Sequence, residues 1–182
     1  MKIKNQDFEV KGLTYSIRSA IIEDAKKLSE VRVRIDGETE NLDRDKGEGL
    51  INIAGFEQLI KNDTEMPSNL FLVAVVKGEI VGFSRCEGNH LKRYSHKVEF
   101  GVGVLKDFWG YGIGENLLKE SISWADSYGI KKMNLKVTET NDRALKIYSR
   151  LGFETEGTLK KDKLLSDGKF YSTIIMGRWN ES

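Results

Sequence analysis

Between Val98 and Leu118 the sequence VEFGVGVLKDFWGYGIGENLL changes hydrophobic period, so a strand must run almost directly into a helix. His96, Val98, Phe100, Val102 and Val104 alternate with Lys97, Glu99, Gly101 and Gly103, the period of two of a strand. Leu117, Leu118, Ser121, Ala125 and Tyr128 then recur at helical spacing. Gly110, Gly112 and Gly114 fall at the junction. Glycine lets the backbone take positive φ and approach a ligand closely. The first N–H groups of a helix lack internal partners, and the helix dipole adds partial positive charge there. The stretch therefore predicts a cradle for a phosphate or pyrophosphate.

Two well-known phosphate loops do not fit. A P-loop requires Gly-Lys-Ser/Thr, and Gly114 is followed by Glu115 and Asn116. A dinucleotide fingerprint requires a further glycine at the position of Glu115. The spacing instead resembles the acyl-CoA loop of the GCN5-related N-acetyltransferases, the GNAT superfamily, whose pattern is Arg/Gln-x-x-Gly-x-Gly/Ala. Trp109 stands in the Arg/Gln position, and Gly112 and Gly114 in the others. A Trp-Gly-x-Gly form is similar to the branch containing ribosomal-protein N-terminal acetyltransferases and several small-molecule acetyltransferases. The resemblance implies acetyl-CoA as cosubstrate. Its expected contacts are Val102, Gly103 and Val104 on the strand and Trp109, Gly110, Tyr111, Gly112, Ile113, Gly114 and Glu115 in the loop, those of the loop made by backbone N–H groups.

Charge and composition narrow the alternatives. A net charge of +1 provides no field for nucleic acid or an anionic membrane, and there is no basic–aromatic stripe. No apolar run approaches the ~18 residues that span a bilayer. The segment MKIKNQDFEV lacks an apolar h-region, so no secretory signal is expected. The single cysteine, Cys86, excludes an internal disulfide and fits a reducing cytoplasm. Set between Arg85 and Glu87 with no histidine beside it, Cys86 is a poor nucleophile candidate, and two histidines with one cysteine predict no metal site. The 182 residues suit one domain, 1–182, of which 1–13 read as a loose polar arm.

Taken in order, Thr14–Arg18 alternates as a strand, and Ala25, Leu28, Val31 or Arg32, and Ile35 give a helix. Asp36–Gly49 reads as a carboxylate-rich loop, followed by a helix over about Leu50–Lys61. Leu70–Val76 and Ile80–Glu87 form a hairpin about Lys77-Gly78-Glu79, the first strand buried on both faces. After the central strand and helix, Met133, Leu135 and Val137 mark a half-buried strand. Ala144, Ile147, Tyr148 and Leu151 form one face of a helix ended by Gly152. Phe153–Leu165 and Lys169–Trp179 are the last two strands. The order β-α-α-β-β-β-α-β-α-β-β predicts an α/β (α+β) fold. The GNAT resemblance, covering about Thr14 to Trp179, implies a mixed, mostly antiparallel sheet with a splayed central strand and flanking helices.

A second segment strengthens the resemblance. Asn141-x-x-Ala144-x-x-x-Tyr148-x-x-x-Gly152-Phe153 is similar to the second GNAT motif. Carried over, Asn141 and Ala144 contact the cofactor, and Tyr148 lies near the thioester sulfur as general acid. Acetyl transfer to an amine needs a neutral amine, a donor for the oxyanion and a proton for the leaving thiolate. A strand N–H of Val104 or Gly103 suits the second need and Tyr148 the third. Glu99 suits the first as base, with His96, of opposite facing, as the alternative. Tyr148 and Trp109 also have packing readings, as core ring and loop anchor.

The implied function is N-acetyltransfer from acetyl-CoA to a primary amine by direct attack in a ternary complex; a non-catalytic acyl-CoA-binding module is the rival. The amine could belong to a small molecule (an amino acid, polyamine or antibiotic) or to a peptide or protein N-terminus. Neither nucleic acid nor membrane is an expected partner, and a homodimer is compatible. Glu38, Glu40 and Asp43 are placed near the acceptor entrance by the resemblance, as candidates for attracting a cationic amine.

Overall fold

The computed structural model describes residues 2–181. Gln6–Val10 (β1) and Leu13–Ser19 (β2) form an antiparallel pair that precedes the first helix. The expected loose arm is therefore corrected: Phe8 and Tyr15 stack with ring centroids 5.3 Å apart, and this contact holds β1 on the sheet. Helix α1 (Ala25–Glu38) reaches further than its apolar pattern suggests and takes in Asp36 and Glu38. Helix α2 (Ile53–Glu65) starts later than expected, because Asn52 caps it, accepting from the Gly55 N–H at 2.8 Å.

Leu70–Val76 (β3) and Glu79–Gly88 (β4) form the expected hairpin. The period of two sends β3 side chains to two different cores. Leu70, Leu72 and Ala74 join Leu117 and Leu118, whereas Phe71 and Val73 join Leu28, Phe56 and Ile60. Lys97–Val104 (β5), helix α3 (Ile113–Ser127), Lys132–Thr138 (β6), helix α4 (Asp142–Arg150), Glu154–Leu164 (β7) and Phe170–Trp179 (β8) complete the chain. All eight strands make one mixed sheet in the order β1-β2-β3-β4-β5-β6-β8-β7. Among the described residues only the β5–β6 pair is parallel.

That parallel pair positions the site. β5 matches β6 only from Lys97↔Lys132 to Glu99↔Asn134. Beyond it, β5 stays paired with β4 to Val104, while β6 follows β8 to Thr138↔Thr173. The sheet therefore opens into a V at its centre, leaving one edge of Phe100–Val104 without a strand partner.

Candidate active site

A cavity of about 340 Å³ occupies the opening of the V. Its walls include Glu99 and Phe100 to Val104 of β5, Trp109 and the glycine loop, and Asn141, Ala144 and Tyr148 of the α4 segment. Of the cofactor contacts predicted from sequence, Tyr111 alone stays outside the walls. It packs on the main core and its carbonyl accepts the Tyr15 hydroxyl at 3.2 Å.

Backbone direction decides which strand amides face the cavity. The Leu105 N–H donates to the Val81 carbonyl of β4 at 2.9 Å. Alternation along the strand turns the Gly103 and Gly101 N–H groups to β4 as well. It turns those of Val102 and Val104 toward the opening. The Val104 carbonyl confirms the direction, because the Trp109 indole N–H reaches it at 2.8 Å from the unpaired side. Of the two candidates, Val104 and not Gly103 thus has its N–H on the open side, as Val102 does. Gly103 serves packing instead: a Cβ there would sit 3.3 Å from Ile35 Cγ2 of α1.

The loop has the features of an anion cradle. Gly110 and Gly112 lie at φ +92° and +73°, the left-handed region in which glycine is unstrained. Gly112 precedes α3 without a side-chain cap, and the first bond into the helix runs from the Asn116 N–H to the Gly112 carbonyl at 2.9 Å. This leaves the Ile113, Gly114 and Glu115 N–H groups without helical acceptors. The Glu115 carboxylate does not compete for the cradle. It pairs with Lys119 at 2.8 Å and Arg150 at 2.7 Å, and the bond from Lys119 is the main cause of its lowered pKa.

The cradle is braced from β2. The Tyr15 hydroxyl donates to the Tyr111 carbonyl and accepts from Asn116 Nδ2 at 2.7 Å. Tyr15→Phe removes both bonds while keeping the ring. Two partly buried polar groups lose their partner, so acetyl-CoA affinity should fall about 3- to 10-fold. Calorimetric titration checks this, and unchanged affinity would show that the loop holds its shape without the brace.

Across the cavity, Asn141 caps α4 by accepting from the Ala144 N–H at 3.3 Å, and its side-chain NH2 bonds no other described residue. The Tyr148 ring packs on Phe153 with centroids 5.9 Å apart, and its hydroxyl bonds no other described residue. Burial pushes the Tyr148 pKa up to about 12, so the phenol stays protonated near neutral pH. Cys86 is fully buried in the core and its thiol is also pushed up to about 12 by burial, which removes it as a nucleophile. Glu99 lies on the cavity wall, 3.2 Å from Lys136 Nζ. His96 packs against Trp179, 6.4 Å between ring centroids, and does not line the cavity, so its role as alternative base is dropped.

Asp36 and Glu38 at the end of α1, and Glu40 and Asp43 beyond it, each take part in bonds within the protein. Asp36 is buried and accepts from Arg44 Nε at 3.1 Å and Nη2 at 3.2 Å. Glu38 accepts from Arg34 and from the Lys106 N–H, Glu40 from the Ser166 N–H at 2.8 Å, and Asp43 from Lys163 at 2.6 Å. These bonds fasten the segment to the neighbouring loop and to the β7–β8 hairpin. Asp43, expected near the acceptor entrance, lines the cavity, and Thr39, Asn41 and Leu42 line it without any sequence pattern to announce them. Lys136, Arg143 and Ile147 also line it, and their places on β6 and α4 were legible from periodicity. Among the described residues no cluster of metal-ligating side chains occurs, and no helix is long and apolar enough to cross a membrane.

A family model described as the acetyltransferase (GNAT) family matches residues 19–153. The L-amino acid N-acetyltransferase AaaT of Escherichia coli (strain K12) is 32% identical over 108 residues, 59% of this chain and 66% of that protein's length. The crystal structure of a GNAT-family acetyltransferase from Streptococcus pneumoniae superposes with a TM-score of 0.88 at 28% identity, covering 91% of this chain and 99% of that one. The structure of yncA from Salmonella typhimurium with acetyl-CoA, at 18% identity and a TM-score of 0.80 over 92% of this chain and 95% of its own, has the same fold.

Proposed function

Since this chain belongs to the acetyltransferase (GNAT) family, we propose that it transfers the acetyl group of acetyl-CoA to a primary amine by direct attack in a ternary complex. One observation carries the reading. A cradle of helix N–H groups without helical acceptors and a protonated Tyr148, whose hydroxyl bonds no other described residue, line the same cavity.

The pyrophosphate suits the N–H groups of Ile113, Gly114 and Glu115, and the Asn141 side-chain NH2 suits an amide of the pantetheine arm. The acceptor ammonium, with an ordinary pKa of ~8 to ~10.4, gives a proton to Glu99, directly or through water. The neutral nitrogen attacks the thioester carbonyl, and the Val104 N–H donates to the oxyanion. Collapse breaks the C–S bond, the Tyr148 hydroxyl supplies the proton for the departing thiolate, and the surplus proton of the attacking nitrogen, lost as the amide forms, returns to the phenolate through water. The name of the Escherichia coli relative favours a small-molecule amine over a protein N-terminus. A buried free thiol at Cys86 agrees with work in a reducing cytoplasm.

The test is incubation of the purified protein with acetyl-CoA and a panel of amines, read by free thiol and by product mass. The expected result is thiol release that depends on the amine, with an acetylated product. Acetyl-CoA binding without release for any amine would leave a binding module and overturn the reading.

A further inference from the structure

Where the β5–β6 pairing ends, two opposite charges face each other across the opening. Lys136 of β6 and Glu99 of β5 both line the cavity, 3.2 Å apart, with 52% and 60% of their side chains exposed. Neither has another ion-pair partner among the described residues. A bridge this exposed adds little to stability, roughly 0–1 kcal/mol, so the pair is easily parted by a ligand that satisfies both ends.

We propose that Lys136 is a specificity-determining residue that binds the carboxylate of an α-amino-acid acceptor, with Glu99 receiving its ammonium. The proposal rests on the acetyl-transfer reading and names the acceptor class for it. An α-amino acid carries its two charges on one carbon, so it can exchange partners with the pair and leave no charge unmatched. A polyamine would set a second cation beside Lys136. A peptide N-terminus would offer it only a neutral amide. Either would leave the ammonium of Lys136 without its anion on the cavity wall.

The neighbouring wall also favours a small acceptor. Lys163 binds Asp43 at 2.6 Å and Thr138 Oγ1 at 3.2 Å, and Glu40 accepts from the Ser166 N–H. These bonds tie the segment after α1 to the β7–β8 hairpin beside Thr138, so the wall facing Lys136 and Val137 is held in place by side chains of both.

The experiment compares free L-amino acids with their carboxamides and with the corresponding decarboxylated amines, by acetyl-CoA-dependent thiol release. The native protein should favour the free acid over its carboxamide roughly 10- to 100-fold in kcat/KM, the range of one charge-assisted hydrogen bond. Lys136→Met should bring that ratio close to one, chiefly by raising the acceptor KM. Lys136→Arg should restore it, and Lys136→Glu should shift preference toward diamines. Calorimetric titration with acetyl-CoA shows that each variant is folded. Turnover of amines with no preference for the acid, or a preference that survives Lys136→Met, overturns the proposal while leaving acetyl transfer standing. Acetyl-CoA binding with no thiol release from any amine overturns both.

Discussion

Replacing Gly114 by Asp is expected to weaken acetyl-CoA binding by roughly 100-fold or more while the protein remains folded. A Cβ at Gly114 would approach nothing closer than Val104 Cγ2, 3.7 Å away, so the fold has room for it. An acidic side chain in the first turn of α3 also suits the helix dipole. The same carboxylate would occupy the N–H groups meant for pyrophosphate and repel its charge. Binding should therefore fail without loss of stability, a combination that a merely structural glycine would not produce. Gly114→Ala, small and neutral, should keep most of the affinity. Gly112→Asp should also abolish tight binding, with an added strain because its φ of +73° suits glycine. Titration calorimetry with thermal unfolding decides the matter. Native-like affinity in folded Gly114→Asp would mean that the cradle does not hold the cosubstrate.

Tyr148→Phe should lower the single-turnover rate of acetyl transfer by about 10²- to 10⁴-fold, the range of a positioned acid–base group, with little change in acetyl-CoA affinity. The ring packs at a tilt on Phe153 and belongs to the apolar face of α4, contacts that phenylalanine keeps. The hydroxyl bonds no other described residue, so its removal strips no partner of a bond within the protein. Its raised pKa, caused by burial, gives the expected pH behaviour. As an acid held protonated to about 12, Tyr148 should cause no fall in rate as pH rises through 8 and 9, where its ordinary value near 10 would already begin to tell. An unchanged rate in Tyr148→Phe would assign the residue to packing alone.

Several elements were legible without coordinates because their signals are local. The period of two in Val98–Phe100, the helical spacing from Leu117 to Ala125 and the glycines between them are properties of neighbouring residues. Conformational freedom at Gly110 and Gly112 follows from the missing Cβ wherever the chain is placed, and the structure gives both positive φ. The hairpin of β3 and β4 needs only two apolar runs and a turn. Local signals failed where an end is set by a distant partner. Gln6–Val10 is too polar to declare itself a strand, and becomes one because Phe8 finds Tyr15. Asp36 and Glu38 look like loop carboxylates, yet Arg44, Arg34 and the Lys106 N–H hold them within and beside a helix.

The amino-acid order by itself thus determined the glycine loop, the order of elements from β2 onward and the two motifs that belong together, since each depends on spacing along one segment. Only the tertiary structure decided that β6 leaves β5 after Asn134 to follow β8, which opens the V and creates the cavity. Pairing between strands depends on which edges meet, and that choice is made between segments far apart in the chain. The same choice turned the Val104 N–H to the cavity and the Gly103 N–H to β4, removed His96 from the site, and set Lys136 opposite Glu99.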